Sequence, residues 1–230
     1  PHTEYLIRLL KERYAVAVLS RGYRRKSKGY LFAGTGVTAS MIGDEPFQMK
    51  SKYPSISLAV DERRVHGIKQ LLMNQPPLDV ILLDDAYQHR SVSPSLNILL
   101  TDVHCPLYED QMLPTGNLRE PISGKKRADI VIVTKCNSEM SVKEQEAVRQ
   151  KLALLPCQSL FFTTICYRHI CAVYPSEVQR KVIALNDLRF DTRVLMVTGI
   201  ASPKPMLFFF SSRRRHTRSL VFPDHHFFSE

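Results

Sequence analysis

Short apolar runs alternate along the chain with longer stretches of helical spacing. The apolar runs are "AVAVLS" (15–20), "ISLAV" (56–60), "DVILLDD" (79–85), "LNILLTD" (96–102) and "ADIVIVTK" (128–135). The last three are nearly continuous, the pattern of strands buried on both faces of a parallel sheet. Helical patterns lie between and around them. "PHTEYLIRLLKER" (1–13) spaces Tyr5, Leu6, Leu9 and Leu10 for one predicted face, and Pro1 suits a first helical turn. "DERRVHGIKQLLMN" (61–74) sets Val65, Ile68, Leu71 and Leu72 at helical spacing behind an Asp61 cap. "SVKEQEAVRQKLALL" (141–155) reads as a further helix. Strands alternating with helices predict an α/β fold with a mostly parallel sheet flanked by helices.

The pattern changes near residue 166. Residues 166–182, which include "YRHICAVYP", read as an extended connector, and "RVLMVTGIASPKPML" (193–207) as a strand turning into a helix. The expected organisation is a core at 1–165, a connector at 166–182 and the start of a second, truncated α/β domain at 183–230. Inside that last part, "LFFFSSRRRHTRS" (207–219) sets a phenylalanine triplet beside an arginine triplet, which suits neither a helix face nor a strand face. It reads as translated sequencing adapter in place of native residues; a genuine basic loop is the alternative. The chain opens in mid-helix and closes on "FFSE" without a terminating element. It is expected to be an internal piece of a longer protein.

Composition narrows the class. With 230 residues and a hydrophobic fraction of 44%, the chain can bury one good core. Five cysteines, odd in number and without a CxxC pair, argue against a disulfide framework or zinc ribbon and for reduced thiols in a cytosolic setting. There is no apolar run of about 18 residues to span a membrane and no secretory signal. The net charge of +10 falls to +6 without Arg213, Arg214, Arg215 and Arg218. A chain that stays basic suits an acidic substrate or an anionic surface. Nucleic acid is not the expected partner, because no aromatic-studded basic ribbon lies outside that arginine cluster.

Four stretches carry candidate chemistry. Ligands of open parallel sheets bind outside the carboxyl ends of the strands, and Asp84 and Asp85 end such a strand. Paired carboxylates there suit a hard cation such as Mg²⁺, as in P-loop phosphoryl transfer; a capping pair in a solvated turn is the alternative. "GDEP" (43–46) offers Asp44 and Glu45 behind a glycine that permits close backbone approach, although most such tetrapeptides are surface turns. "LPTGNLREP" (113–121) carries Arg119 and Glu120, a phosphate grip or a surface ion pair. "FPDHHFF" (222–228) sets Asp224, His225 and His226 between aromatics, with a proton carrier or a structural histidine among them.

These stretches occur in one order with "VLSRGYRRKSKGY", "VDERRVHG", "LLDDAYQHR", "ADIVIVTK" and "VTGIASPKP". Together they resemble the tetraacyldisaccharide 4′-kinases, the lipid A kinases of Gram-negative bacteria, in the style of a Bacteroides-like branch. The resemblance implies a P-loop NTPase-like fold. It implies transfer of the γ-phosphate of ATP, with Mg²⁺, to the 4′-hydroxyl of a tetraacylated glucosamine disaccharide 1-phosphate, giving lipid IVA. The implied place is the cytoplasmic face of the bacterial inner membrane. The Walker A loop and an N-terminal membrane helix would precede residue 1, and a piece without them is expected to be inactive.

By motif, the resemblance makes Asp44 the acceptor of the sugar hydroxyl proton and His225 its partner. It places Glu45, Asp84 and Asp85 around the metal. Ser20, Arg21, Tyr23, Gln88, His89, Arg119 and Glu120 line the nucleotide and lipid pocket, with Arg63 a further candidate. Two departures stand out. Ala86 and Tyr87 occupy "DDAYQH" where the family often has DDGFQH, and Arg24 ends "SRGYR" where the family has SRGYG. Two other readings fit the residues: a P-loop kinase or NTPase acting on a soluble substrate, and a non-catalytic basic module for membrane surfaces.

Overall fold

The apolar run at 15–20 becomes an innermost strand, buried along its whole length. The computed structural model describes residues 1–167, 169–174, 176–178, 181–200, 202–213, 216–224 and 226. It divides into two units, Pro1–Thr164 and Ile165–Glu230. The first unit runs α1 (His2–Leu10), β1 (Val16–Ser20), β2 (Leu31–Phe32), α2 (Ala39–Ile42), α3 (Asp44–Lys52), β3 (Ser57–Val60), α4 (Arg64–Asn74), β4 (Val80–Leu83), β5 (Ile98–Asp102), β6 (Ile130–Thr134), α5 (Val142–Leu152) and β7 (Ser159–Phe162).

Two sheets form in this unit, with orders β2-β3-β1-β4 and β5-β6-β7. All pairings are parallel except β2 with β3. Side chains alternate across a strand, and the first sheet uses both faces. Val18, Leu58, Val60 and Leu82 face one cluster with Ile7 of α1, Ile42 of α2 and Met49 of α3. Ala17, Leu19, Ala59, Ile81 and Leu83 face the other, with Leu71 and Ile68 of α4. In the second sheet Val131, Val133, Leu160 and Phe162 pack with Leu152 of α5. An aspartate ahead of a neighbouring strand ties the start of each sheet. Asp79 accepts from the Ala15 amide at 2.7 Å, and Asp129 from the Asn97 amide at 2.7 Å.

The architecture is α/β as expected, but several details differ. Full burial on both faces holds for β1 and most of β3. β4 is half-buried throughout, and Leu100 of β5 and Phe161 of β7 are exposed. β4 pairs with β1 on one side, and β5 with β6 on one side, among the described residues. On α1 the buried residue is Ile7, fully inaccessible, whereas Leu9 is 60% exposed. On α4 the buried stripe is Arg64, Gly67 and Leu71, and Val65 and Leu72 are exposed. Gly67 explains the shift: a Cβ there would lie 2.9 Å from the Leu19 methyls, so the helix presses its glycine onto β1. Asp61 does not cap α4 by occupying its N-cap, which is Arg63.

The second unit holds β8 (His169–Cys171), β9 (Val182–Ala184), β10 (Arg193–Thr198), α6 (Lys204–Arg213) and β11 (His216–Val221). β8 pairs antiparallel with β9, so the stretch expected as a connector carries a strand. Of the segment expected to suit neither helix nor strand, residues 207–213 lie in α6 and 216–219 in β11, with β11 parallel to β10. α6 has no buried residue. All five cysteines are free thiols.

Replacing Ile7 by Ala should lower the unfolding free energy by about 2–5 kcal/mol, the usual cost of a large-to-small core change. Leu9→Ala should stay within about 0.5 kcal/mol, as for an exposed position. Urea denaturation of the two variants distinguishes the observed face of α1 from the expected one.

Candidate active site

Parallel pairing brings the carboxyl ends of β1, β3 and β4 to one edge. The register sets Leu19 beside Leu83 and Ser20 beside Val60, so Ser20, Asp61 and Asp84 emerge together. The Asp84 carboxylate accepts from the Thr3 hydroxyl at 2.7 Å through Oδ1 and from the Ser20 hydroxyl at 3.3 Å through Oδ2. Its amide donates to the Leu19 carbonyl at 3.0 Å, which extends the strand pairing by one residue.

Two glycines bring Asp44 towards this edge. Gly22, with φ +70°, follows Ser20 and Arg21, and Gly43, with φ +92°, joins α2 to α3. A Cβ on Gly43 would sit 3.0 Å from the Tyr23 carbonyl oxygen, and one on Gly22 would sit 2.8 Å from the Ile42 carbonyl oxygen. The two backbones therefore touch, which only residues without side chains allow. Asp44 and Glu45 open α3, where the positive end of the helix dipole favours carboxylates. Arg21 and Tyr23 are exposed on the facing loop, and the Arg24 guanidinium lies 5.4 Å from the Tyr23 ring centroid. Arg24 itself has φ +58°. The position that is glycine in SRGYG thus has a left-handed backbone here.

The turn after β4 answers the other departure. The left-handed residue is Asp85, at φ +45°, and Ala86 has an ordinary conformation. Asp85 is exposed and accepts from Arg119 Nη1 at 3.3 Å. Gln88 and His89 follow, with the His89 amide donating to the Ala86 carbonyl at 2.8 Å. Glu120 pairs with Arg127 at 2.9 Å.

Arg64 and His66, which are not among the expected site residues, support this edge together with Asp61. Arg64, 1% exposed, donates through Nη1 to the Asp61 carbonyl and through Nη2 to the Asp84 carbonyl at 3.2 Å. Burial lowers its pKa, while Asp84, Asp85 and Asp61 raise it and Arg21 lowers it. Asp61, also buried, accepts from the Arg63 amide at 2.8 Å and meets His66 Nδ1 at 2.6 Å. Arg63, Arg64, His66, Lys69 and His89 share a pocket of about 360 Å³ with Glu62 and Ser91. The Glu62 carboxylate is already engaged by Arg25 at 2.6 Å and by the Gly29 amide at 3.0 Å. The pocket is therefore cationic. The sequence held one signal for it, an arginine at the buried position three residues before Gly67.

The three expected metal ligands do not form a cluster: no group of three His, Cys, Asp or Glu poised for a metal occurs among the described residues. Asp84 with the Thr3 and Ser20 hydroxyls is nevertheless an all-oxygen set. That fits Mg²⁺, which takes one or two carboxylates and leaves its other positions to water and phosphate. His225 lies outside the described residues, so its role beside Asp44 rests on the family resemblance. Its neighbour His226 stacks on Phe222, with ring centroids 4.5 Å apart.

A family model described as LpxK, tetraacyldisaccharide-1-P 4′-kinase, matches residues 1–230. The chain belongs to this family. Curated LpxK relatives named tetraacyldisaccharide 4′-kinase include those of Phocaeicola vulgatus, 48% identical over 231 residues, and Bacteroides thetaiotaomicron, 49% identical over 234 residues. Each match takes in 100% of this chain and 62% of the relative, so the chain spans under two thirds of their length. Among solved structures, LpxK from Aquifex aeolicus, described as an "apo" form in complex with ATP, matches with a TM-score of 0.71 and 29% identity. That match covers 100% of this chain and 69% of the other.

Burial lowers the His89 pKa, Arg64 and Arg21 lower it further, and Asp85 opposes them. The unfolded chain therefore binds a proton at His89 more readily than the folded one. The stability cost is absent well above the ordinary value of about 6.5 and grows as pH falls through it towards the folded value. His89→Gln should lose less unfolding free energy than the parent between about pH 7.5 and 5.5, as read by urea titrations at the two values.

Proposed function

We propose that this chain is the catalytic core of an enzyme that transfers the γ-phosphate of ATP to the 4′-hydroxyl of a tetraacylated glucosamine disaccharide 1-phosphate, forming lipid IVA. The observation that carries the reading is the Asp84 carboxylate, held by hydroxyls from α1 and β1 where three parallel strands end. That is where phosphate-transfer enzymes of this architecture keep the acid that faces their metal. Membership of the LpxK family supports the choice of acceptor.

Each group has work suited to its position. Asp44 accepts the proton of the attacking hydroxyl late in transfer, as a catalytic-loop aspartate does in other kinases. Asp84, oriented by the Thr3 and Ser20 hydroxyls, would hold Mg²⁺, and the family motif assigns Glu45 and Asp85 to the same ion. Bound there, Mg²⁺ would supply neutralisation of the charge that develops during phosphoryl transfer. Arg119 grips phosphate oxygens. Arg21, Tyr23, Arg63, Gln88 and His89 line the path of nucleotide and acceptor, and the cationic pocket gives an anionic headgroup a place to rest. The basic balance of the chain suits work at the cytoplasmic leaflet of the inner membrane. Among the described residues no helix is long and apolar enough to cross that membrane.

The test uses the full-length protein, labelled ATP and purified tetraacyldisaccharide 1-phosphate. Transfer of label to the lipid is expected, and failure of the parent to label it overturns the reading. Asp44→Ala should lower kcat by about 10²–10⁴-fold with ATP binding little changed. Asp84→Asn should raise the Mg²⁺ concentration needed for half-maximal rate.

A further inference from the structure

Arg119 and Glu120 are neighbours in sequence with opposite surroundings. The Arg119–Asp85 pair is 61% and 64% exposed at 3.3 Å. Such a pair is worth little alone and cannot by itself hold a long side chain in place. Glu120 is mostly buried and tightly held. Arg127 Nη2 donates to both of its carboxylate oxygens at 2.9 Å. The same nitrogen donates to the Tyr87 carbonyl at 3.2 Å, and the guanidinium lies 4.8 Å from the Tyr87 ring centroid. The Tyr87 hydroxyl donates to the Gly124 carbonyl at 2.8 Å. Gly124 is buried, and a Cβ there would lie 2.8 Å from the Glu120 carboxylate, so the missing side chain is the space that Glu120 fills.

These contacts join two segments. One is the turn that follows β4 and carries Asp84, Asp85, Gln88 and His89. The other is the loop 113–121 with the 3-10 turn Ile122–Arg127 behind it. An arginine suits the junction because one guanidinium nitrogen serves the carboxylate and a carbonyl while the planar cation lies over the ring. Fixing Glu120 fixes the backbone one residue away, which aims Arg119.

We propose that Arg127 is a positioning residue. With Tyr87, Glu120 and Gly124 it clamps loop 113–121 to the turn after β4 and so keeps Arg119 beside Asp85. Glu120 then belongs to the clamp rather than to the ligand-contacting wall. The tyrosine of "DDAYQH" gains a task that the phenylalanine of DDGFQH has no hydroxyl to perform. The inference rests on the kinase reading for what Arg119 does, but not for how the loop is held.

The experiment compares Arg127→Met, Arg127→Lys, Arg119→Ala and the Arg127→Met/Arg119→Ala double variant in the full-length protein. It measures kcat and KM for ATP, and hydrogen exchange across residues 113–121. Arg127→Met should lower kcat/KM for ATP by about fivefold or more, with Arg127→Lys between it and the parent. In the Arg119→Ala background the same change should cost less than about twofold, because a residue that acts through Arg119 has nothing left to position. Exchange across 113–121 should rise in Arg127→Met. A smaller loss, an equal loss in the Arg119→Ala background, or unchanged exchange each overturns the clamp. If Arg127→Met does not fold, Gly124→Ala, which displaces the Glu120 carboxylate and keeps Arg127, carries the same expectations. A parent that fails to phosphorylate the lipid defeats the kinase reading alone, and the exchange measurement still decides the clamp.

Discussion

The candidate site hangs on the pairing of β1 with β4. Their parallel register sets Ser20 next to Asp84, and the Ser20 hydroxyl meets the carboxylate there. A slip of one residue would turn every side chain of β4 to the opposite face. It would remove Leu82 from one cluster and Leu83 from the other, and Asp84 from Thr3. The apolar packing that fixes the register thereby fixes the chemistry at its end. Burial of Val18 and Leu19 and placement of the carboxylate are one constraint.

Arg64 adds a second layer. A buried guanidinium among three aspartates would be expected to neutralise them by direct pairing. Its hydrogen bonds go instead to the carbonyls of Asp61 and Asp84. The carboxylates stay available, Asp61 to His66 and the Arg63 amide, Asp84 to the two hydroxyls. The cation braces the backbone of both strand ends, and its charge is near the acids without occupying them.

Periodicity made the strands legible, because β1, β3, β4, β5 and β6 are short apolar runs with nothing else to be. It misjudged the face of α1, where Ile7 turns inward, and that of α4, where a glycine and a charged residue do. Gly67 lets α4 lie on Leu19, and that contact puts Arg64 inside, where hydropathy would never place it. Motifs made Asp44, Asp84, Asp85, His89 and Arg119 legible as candidates. The contacts among them depend on long-range approach, such as Gly43 against Tyr23, which no local pattern encodes. The family motif assigns Glu120 to the pocket, and its ion-pair partner Arg127 lies seven residues on, in a segment without a motif. The two family departures divide the same way. Arg24 is itself left-handed, while at Ala86 the left-handed residue is the one before it.

The first turn of α1 joins structures that share no strand. His2 Nε2 lies 3.2 Å from the Thr163 hydroxyl, just past β7 of the second sheet, and Thr3 bonds Asp84, just past β4 of the first. Adjacent helical residues point about 100° apart, so one turn can serve both directions at once. The same geometry makes that turn intolerant of indels. A single residue gained or lost between His2 and Ile7 would rotate His2 and Thr3 about the helix axis while Ile7 stayed anchored, and both links would break together. Substitutions at these positions are separable; a change of length is not.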